Sequence, residues 1–124
     1  MGIGDINRKQ SYKIFINNNK QKNMNYKKDQ FYIIRADKAG VFLCKVLKED
    51  GNSLQVNNLR RLYRWAGALD VTQIAKDGVG NPNNCKFSVQ LGDSDVSIIY
   101  NVIEAHTCTE KALQTLNSVP AWKQ

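Results

Sequence analysis

The sequence predicts an α+β domain, a curled and mainly antiparallel sheet or small open barrel of five to six strands with two short helices. Runs of β-branched and aromatic residues recur between turn signals over residues 31–65 and 85–104. Helix starts are marked by capping residues at two places only. The resulting order, four strands, a helix, two strands and a helix, lacks the alternation of a parallel doubly wound sheet.

Phe31-Tyr32-Ile33-Ile34-Arg35 reads as a buried strand, and Asp37-Lys38-Ala39-Gly40 as the turn after it. Val41–Leu47 is a second strand. Glu49-Asp50-Gly51-Asn52 supplies the next turn, its Asp-Gly step being a strong hairpin signal. Ser53–Val56 is the third strand, Asn57-Asn58 bend the chain, and Leu59–Trp65 is a fourth strand, cationic and aromatic. Asp70 with Gln73 forms a capping box that opens a helix to about Lys76, stopped by Gly78. After a loop, Cys85–Leu91 alternates as a half-buried strand, and Asp95–Glu104 is the last strand. Thr107 with Glu110 forms a second capping box, opening a helix whose Ala112, Leu113 and Leu116 share a face. Trp122 reads as an anchor packed on the core.

A chain of 124 residues suffices for one such domain. Its net charge of +7 is uneven: residues 1–30 hold seven Lys/Arg against two Asp/Glu, whereas residues 31–124 hold eleven against nine. The chain therefore divides into a basic, Asn/Lys-rich extension, 1–30, and a compact domain, 31–124. Within the extension, Tyr12–Ile16 suits a strand docked on the sheet; a flexible arm and an edge strand are both open, and an arm with this one docked strand is the favoured reading. A basic segment attracts phosphates, or simply keeps the chain soluble. With no apolar run of about 18 residues and no apolar signal segment, the expected location is the cytoplasm.

The residues an enzyme needs are scarce. Cys44, Cys85 and Cys108 are odd in number and widely spaced, and the single His106 completes no zinc pattern with them, so buried free thiols are expected. His106 and Cys108 lack an orienting third group for nucleophilic catalysis. Gly78-Val79-Gly80 follows a helix and lacks the Gly-Lys-Ser/Thr ending of a phosphate loop. Asp93 and Asp95 offer too few oxygens for calcium. The expectation is a binding protein, not an enzyme, with no catalytic residue, metal or cofactor.

The informative run is Arg60-Arg61-Leu62-Tyr63-Arg64-Trp65. In a regular strand Arg61, Tyr63 and Trp65 share one face, spaced roughly 7 Å apart, and Arg60, Leu62 and Arg64 share the other. Guanidinium beside aromatic rings suits a phosphate at one end and a stacked base at the other. The competing reading puts Tyr63 and Trp65 in the core, with the arginines reaching out along a sheet edge. The candidate ligand-binding set is Arg35, Gly40, Arg60, Arg61, Tyr63, Arg64 and Trp65, with Gly40 and Gly67 allowing close backbone approach.

Several fragments also occur in a familiar order: Ile33-Ile34-Arg35, Ala39-Gly40-Val41-Phe42, Arg60-Arg61-Leu62 with Trp65, Gly67-Ala68, Gln73-Ile74-Ala75, Asn84-Cys85-Lys86-Phe87, Cys108–Ala112 and Trp122. Over residues 31–124 this resembles a family of small phage and prophage proteins of unknown function, DUF6948. Asp37 and Arg64 stand where that family commonly has aromatics, and the first 30 residues extend beyond its short members. The resemblance implies a phage origin and action in the cytoplasm of an infected bacterium. By analogy with anti-CBASS and anti-Thoeris nucleotide sponges, it implies an anti-defence protein that sequesters a cyclic nucleotide immune signal without cleaving it. A homodimer or higher homo-oligomer is expected, because a small chain forms ligand sites most readily between subunits. The alternative is a phage structural or nucleic-acid-binding accessory protein using its basic arm, and a third is an inhibitor that binds a host protein.

Overall fold

The computed structural model describes residues 24–123. The Tyr12–Ile16 stretch lies outside the described residues. Six strands and two helices follow: β1 (Phe31–Ala36), β2 (Gly40–Asp50), β3 (Ser53–Arg64), α1 (Val71–Asp77), a 3-10 turn (Pro82–Asn84), β4 (Lys86–Phe87), β5 (Ser97–Ile99), β6 (Val102–Thr107) and α2 (Glu110–Asn117). The strands form one antiparallel sheet in the order β4-β3-β2-β1-β6, with β5 also paired along β3. The expected α+β architecture, an open curled sheet with two helices, is what forms.

β1 and β2 are joined by a tight turn in which Lys38 and Gly40 take positive φ values of 65° and 113°. β2 and β3 form a long hairpin over Asp50-Gly51-Asn52, with Gly51 at φ 62°. The expected third and fourth strands are one strand. Asn58, at φ 53°, makes a bulge where the register steps from Lys45↔Asn57 to Leu43↔Arg60. The bulge flips the alternation: Leu54 and Val56 face one side of the sheet, Arg60 and Leu62 the other.

The sheet is thus buried on both faces. Ile33, Val41, Leu43, Leu62 and Phe87 pack under Ile74 and Ala75 of α1 and Ala112 and Leu116 of α2. The opposite face gathers Ile34, Phe42, Cys44, Leu54, Val56 and Ile99 inside the curl, with Met24 and Tyr26 packed against them. The two-residue link Tyr100-Asn101 carries the chain from β5, on the edge of β3, to β6, on the edge of β1. The sheet ends therefore approach each other, and the Val102 amide donates to the Asn52 carbonyl oxygen at 2.8 Å across the gap.

Several local expectations are corrected. Cys85–Leu91 is a strand only at Lys86–Phe87; beyond it isolated bonds, Ser88 N–H to Arg61 O and Leu91 N–H to Leu59 O, follow β3 irregularly past its bulge. The expected strand Asp95–Glu104 is broken at Asn101, whose φ of 58° turns the chain. The cap of α2 is Thr109, whose Oγ1 accepts from Ala112 N–H at 3.0 Å; Thr107 stays in β6. Asp70 caps α1 as expected, while the Gln73 side chain accepts from Leu69 N–H, one residue earlier than a standard box. Trp122 is not core: it is 45% exposed, with the Lys86 ammonium 4.7 Å from its ring, and the tail is held by Trp122 N–H on the Phe87 carbonyl oxygen.

Candidate functional site

Arg61 leaves β3 opposite Phe42, on the face of the sheet turned away from the helices. Its guanidinium lies over the Phe42 ring, 4.6 Å from the centroid, and Nη1 donates to the Ala39 carbonyl oxygen at 2.7 Å. One edge of the fork is fixed, and among the described residues its other donors make no hydrogen bond, so the cation is oriented before any ligand arrives. It opens on a surface cavity of about 350 Å³, which is also lined by Lys38, Asp37, Ile98 and Tyr100.

Two turns build the rim. The Asp37–Gly40 turn brings the Ala39 carbonyl to Arg61 and Lys38 to the mouth. The Tyr100-Asn101 turn supplies the aromatic, 64% exposed, and is tied to the first turn by Asp37 N–H on the Asn101 carbonyl oxygen at 2.9 Å. Among the described residues, neither Arg61 nor Lys38 makes an ion pair. Two cations, an exposed phenol ring and the apolar Ile98 together suit an anionic group attached to a flat ring.

The other anticipated residues fall elsewhere. Gly40 lies at the basin, but its role is the turn: a Cβ there would meet only Arg61 Nη1, at 3.9 Å, and its φ of 113° is what requires glycine. Arg60 is 4% exposed and points under the helices. Its Nε donates to Ser88 O at 2.8 Å, and its two terminal nitrogens to Leu116 O and Val119 O, ending α2. Burial lowers its pKa, and it is not available to a ligand. Arg35, on the helix-bearing face with Val41, is bound to Glu104 at 2.7 Å. Tyr63 is 60% exposed outside the basin, and Arg64 is exposed opposite Lys86 of β4. Trp65 lies past the end of β3 and packs on the helix-side core, so the expected ladder of Arg61, Tyr63 and Trp65 does not form. Gly67 is closed by its own chain, since a Cβ there would sit 2.4 Å from Gly80 N.

Sequence reasoning missed Lys38 and Tyr100. Asn101 was the available signal, as a residue that adopts positive φ readily and can end a strand, but nothing local said that β5 would return to β3. A larger cavity of about 600 Å³ lies over Met24 and Tyr26. Its lining holds two cations, Lys28 and Lys45, and two carboxylates, Asp29 and Asp93, and Lys45 already lies over the Phe31 ring, so no net charge is presented there.

The thiols are unsuited to nucleophilic work. All three are buried, and desolvation pushes Cys44 up to about 12 and Cys108 to about 11. His106 turns to Glu104, its Nε2 2.6 Å from Oε2, while the Cys108 thiol points to its neighbour's carbonyl oxygen. Among the described residues no cluster of metal-ligating side chains occurs, and no helix is long and apolar enough to cross a membrane.

No curated protein and no solved structure matches the chain. A family model does, over residues 29–116, which takes in the sheet, α1, nearly all of α2 and the whole rim of the basin. The chain belongs to the DUF6948 family, a domain of unknown function.

Proposed function

We propose that this chain is a non-enzymatic binding protein that sequesters a small phosphate-bearing nucleotide in the Arg61 basin. The oriented guanidinium of Arg61, which makes no ion pair among the described residues, carries the proposal. A phosphate takes the free edge of the fork and the Lys38 ammonium, and a base lies against Tyr100 and Ile98. The volume falls at the lower end of small-ligand pockets, roughly 300–1,000 Å³, so a compact ligand such as a cyclic nucleotide suits it. In a phage setting, which the family resemblance suggests, the biological use is to hold a host immune signal out of reach of its receptor.

Calorimetric titration of the purified full chain with cyclic dinucleotides, cyclic trinucleotides and cyclic ADP-ribose isomers tests this. Binding by one of them, lost in Arg61→Ala, with the ligand recovered unaltered by mass spectrometry, is the expected result. No binding by any of them, binding indifferent to Arg61, or a chemically altered ligand overturns the proposal. The basic extension favours a second reading, contact with nucleic-acid backbone. Affinity for DNA or RNA that falls steeply with salt, and that is lost on deleting residues 1–30, identifies that activity instead.

A further inference from the structure

The Arg60–Trp65 run sends Arg60 under the helices and Arg61 to the basin, and leaves Arg64 at the end of β3. Three segments meet in that corner. Arg64 pairs with Lys86 of β4, Phe87 bridges to Ala121 of the C-terminal tail, and Trp122 N–H donates to Phe87 O at 2.8 Å. The tail is thereby pinned, and it presents Trp122 with 45% of its surface open. The Lys86 ammonium stands 4.7 Å from the centre of that ring, and the exposed Lys123 follows. Charge is segregated here. Residues 60–69, 81–92 and 118–124 contain no Asp or Glu, although residues 31–124 hold nine. Among the described residues Arg64, Lys86 and Lys123 make no ion pair, whereas Arg35 and Lys111 do.

We propose that this corner binds a single-stranded polynucleotide. A base stacks on the open part of the Trp122 ring, and Arg64 and Lys86 take flanking phosphates, with Lys123 adding to the attraction. A face that only keeps the chain in solution needs cations and no aromatic. An indole held open beside cations is what stacks bases and tracks a phosphate chain. The strand must be single, because a duplex keeps its bases paired with one another and out of reach of a surface ring. Phosphates and base faces are common to DNA and RNA, so the chemistry recognised is that of either. The site uses none of the residues that line the Arg61 basin and does not rest on the reading of that basin. It lies on the folded domain, apart from the basic extension 1–30.

Titrating the full chain with a short oligodeoxythymidylate at low salt should quench its tryptophan fluorescence. Trp122→Phe should abolish the quenching and still bind, which assigns the signal to Trp122 rather than to Trp65, packed on the core. By anisotropy of a labelled strand, Trp122→Ala should weaken binding roughly 5- to 150-fold, the loss of one stacked base. Trp122→Phe, which keeps a ring, should recover most of that affinity. Arg64→Ala with Lys86→Ala should lower the slope of log affinity against log salt by roughly 1.4, as two phosphate contacts are lost. An oligouridylate in parallel tells DNA from RNA as the source, and a duplex of the same length should leave the fluorescence unquenched. Absence of binding, quenching that persists in Trp122→Phe, or equal quenching by the duplex overturns the proposal. So does affinity indifferent to Trp122→Ala and to the paired cation substitution, which would place the contact on the basic extension. If circular dichroism shows that Trp122→Ala fails to fold, the quenching in Trp122→Phe and the salt slope still decide.

Discussion

Arg60 and Arg61 are neighbours in sequence and leave β3 on opposite faces of the sheet: Arg60 is buried against the Ser88 carbonyl oxygen and two more, Leu116 and Val119, at the end of α2, and Arg61 faces the open basin. The bulge at Asn58 decides which arginine goes where, because it resets the alternation of the strand just before them.

The two arginines should therefore separate stability from binding. Arg60→Ala strands the Ser88, Leu116 and Val119 carbonyls and removes the cation over Phe87, which should cost about 3–5 kcal/mol. Arg61→Ala gives up one hydrogen bond and one partly exposed cation–π contact, about 1 kcal/mol. Urea denaturation of the two variants measures both. Equal losses would show that the faces are not as different as this arrangement requires.

Two glycines make a similar contrast on the backbone alone. Gly51 and Gly67 both have positive φ, 62° and 87°. A Cβ on Gly51 meets nothing within 4 Å, so Gly51→Ala should cost only the conformational penalty of about 1–2 kcal/mol. A Cβ on Gly67 runs into the backbone of Gly80 at 2.4 Å, so Gly67→Ala should cost more, upward of about 3 kcal/mol. Thermal unfolding gives the order, and a variant at Gly67 as stable as the one at Gly51 would contradict the close approach of these loops.

The strands of the first hairpin and the N-cap Asp70 were legible because each is written locally, in alternation, turn residues and a capping side chain. The second half was harder. Val89 and Leu91 continue the alternation of Cys85–Leu91, so the segment mimics a longer strand, yet the ladder there is interrupted by the Asn58 bulge in its neighbour. The basin was only half visible for the same reason. Arg61 announces itself in sequence, whereas Lys38 and Tyr100 reach it from turns brought together by pairing between residues far apart in the chain. The ladder reading misplaced Trp65 because its face was extrapolated along a strand that ends at Arg64, and the competing reading that put Trp65 against the core is the one the packing supports.

Thiol chemistry offers a third check on the packing. Cys44 and Cys108 lie within opposite cores and burial holds both in the protonated form, Cys44 near about 12 and Cys108 near about 11. The native chain should react with a thiol reagent such as dithionitrobenzoate at mildly alkaline pH only as fast as it opens, and should release all three equivalents promptly in guanidinium. Prompt labelling of any of them in the native state would mean that one core is more open than its burial indicates.

The charge cluster at the edge of the sheet should give the protein a carboxylate-dependent stability. Hydrogen bonds from His106 and then Arg35 hold the Glu104 carboxyl below its ordinary range. A carboxyl whose folded pKa lies below its unfolded one, about 4.3 for glutamate, contributes stability that is present above the unfolded value. That stability is lost as pH falls through the folded one. Glu104→Gln keeps the shape and an acceptor but removes the ionisation. The stability difference between the natural chain and this variant should accordingly be largest near neutral pH and should shrink as pH falls below about 4. Urea midpoints measured across that range supply the comparison. A difference that stays constant with pH would assign Glu104 a purely steric role, while a difference that grows toward acid would reverse the sign of the linkage and exclude the ion pair with Arg35 as a stabilising contact.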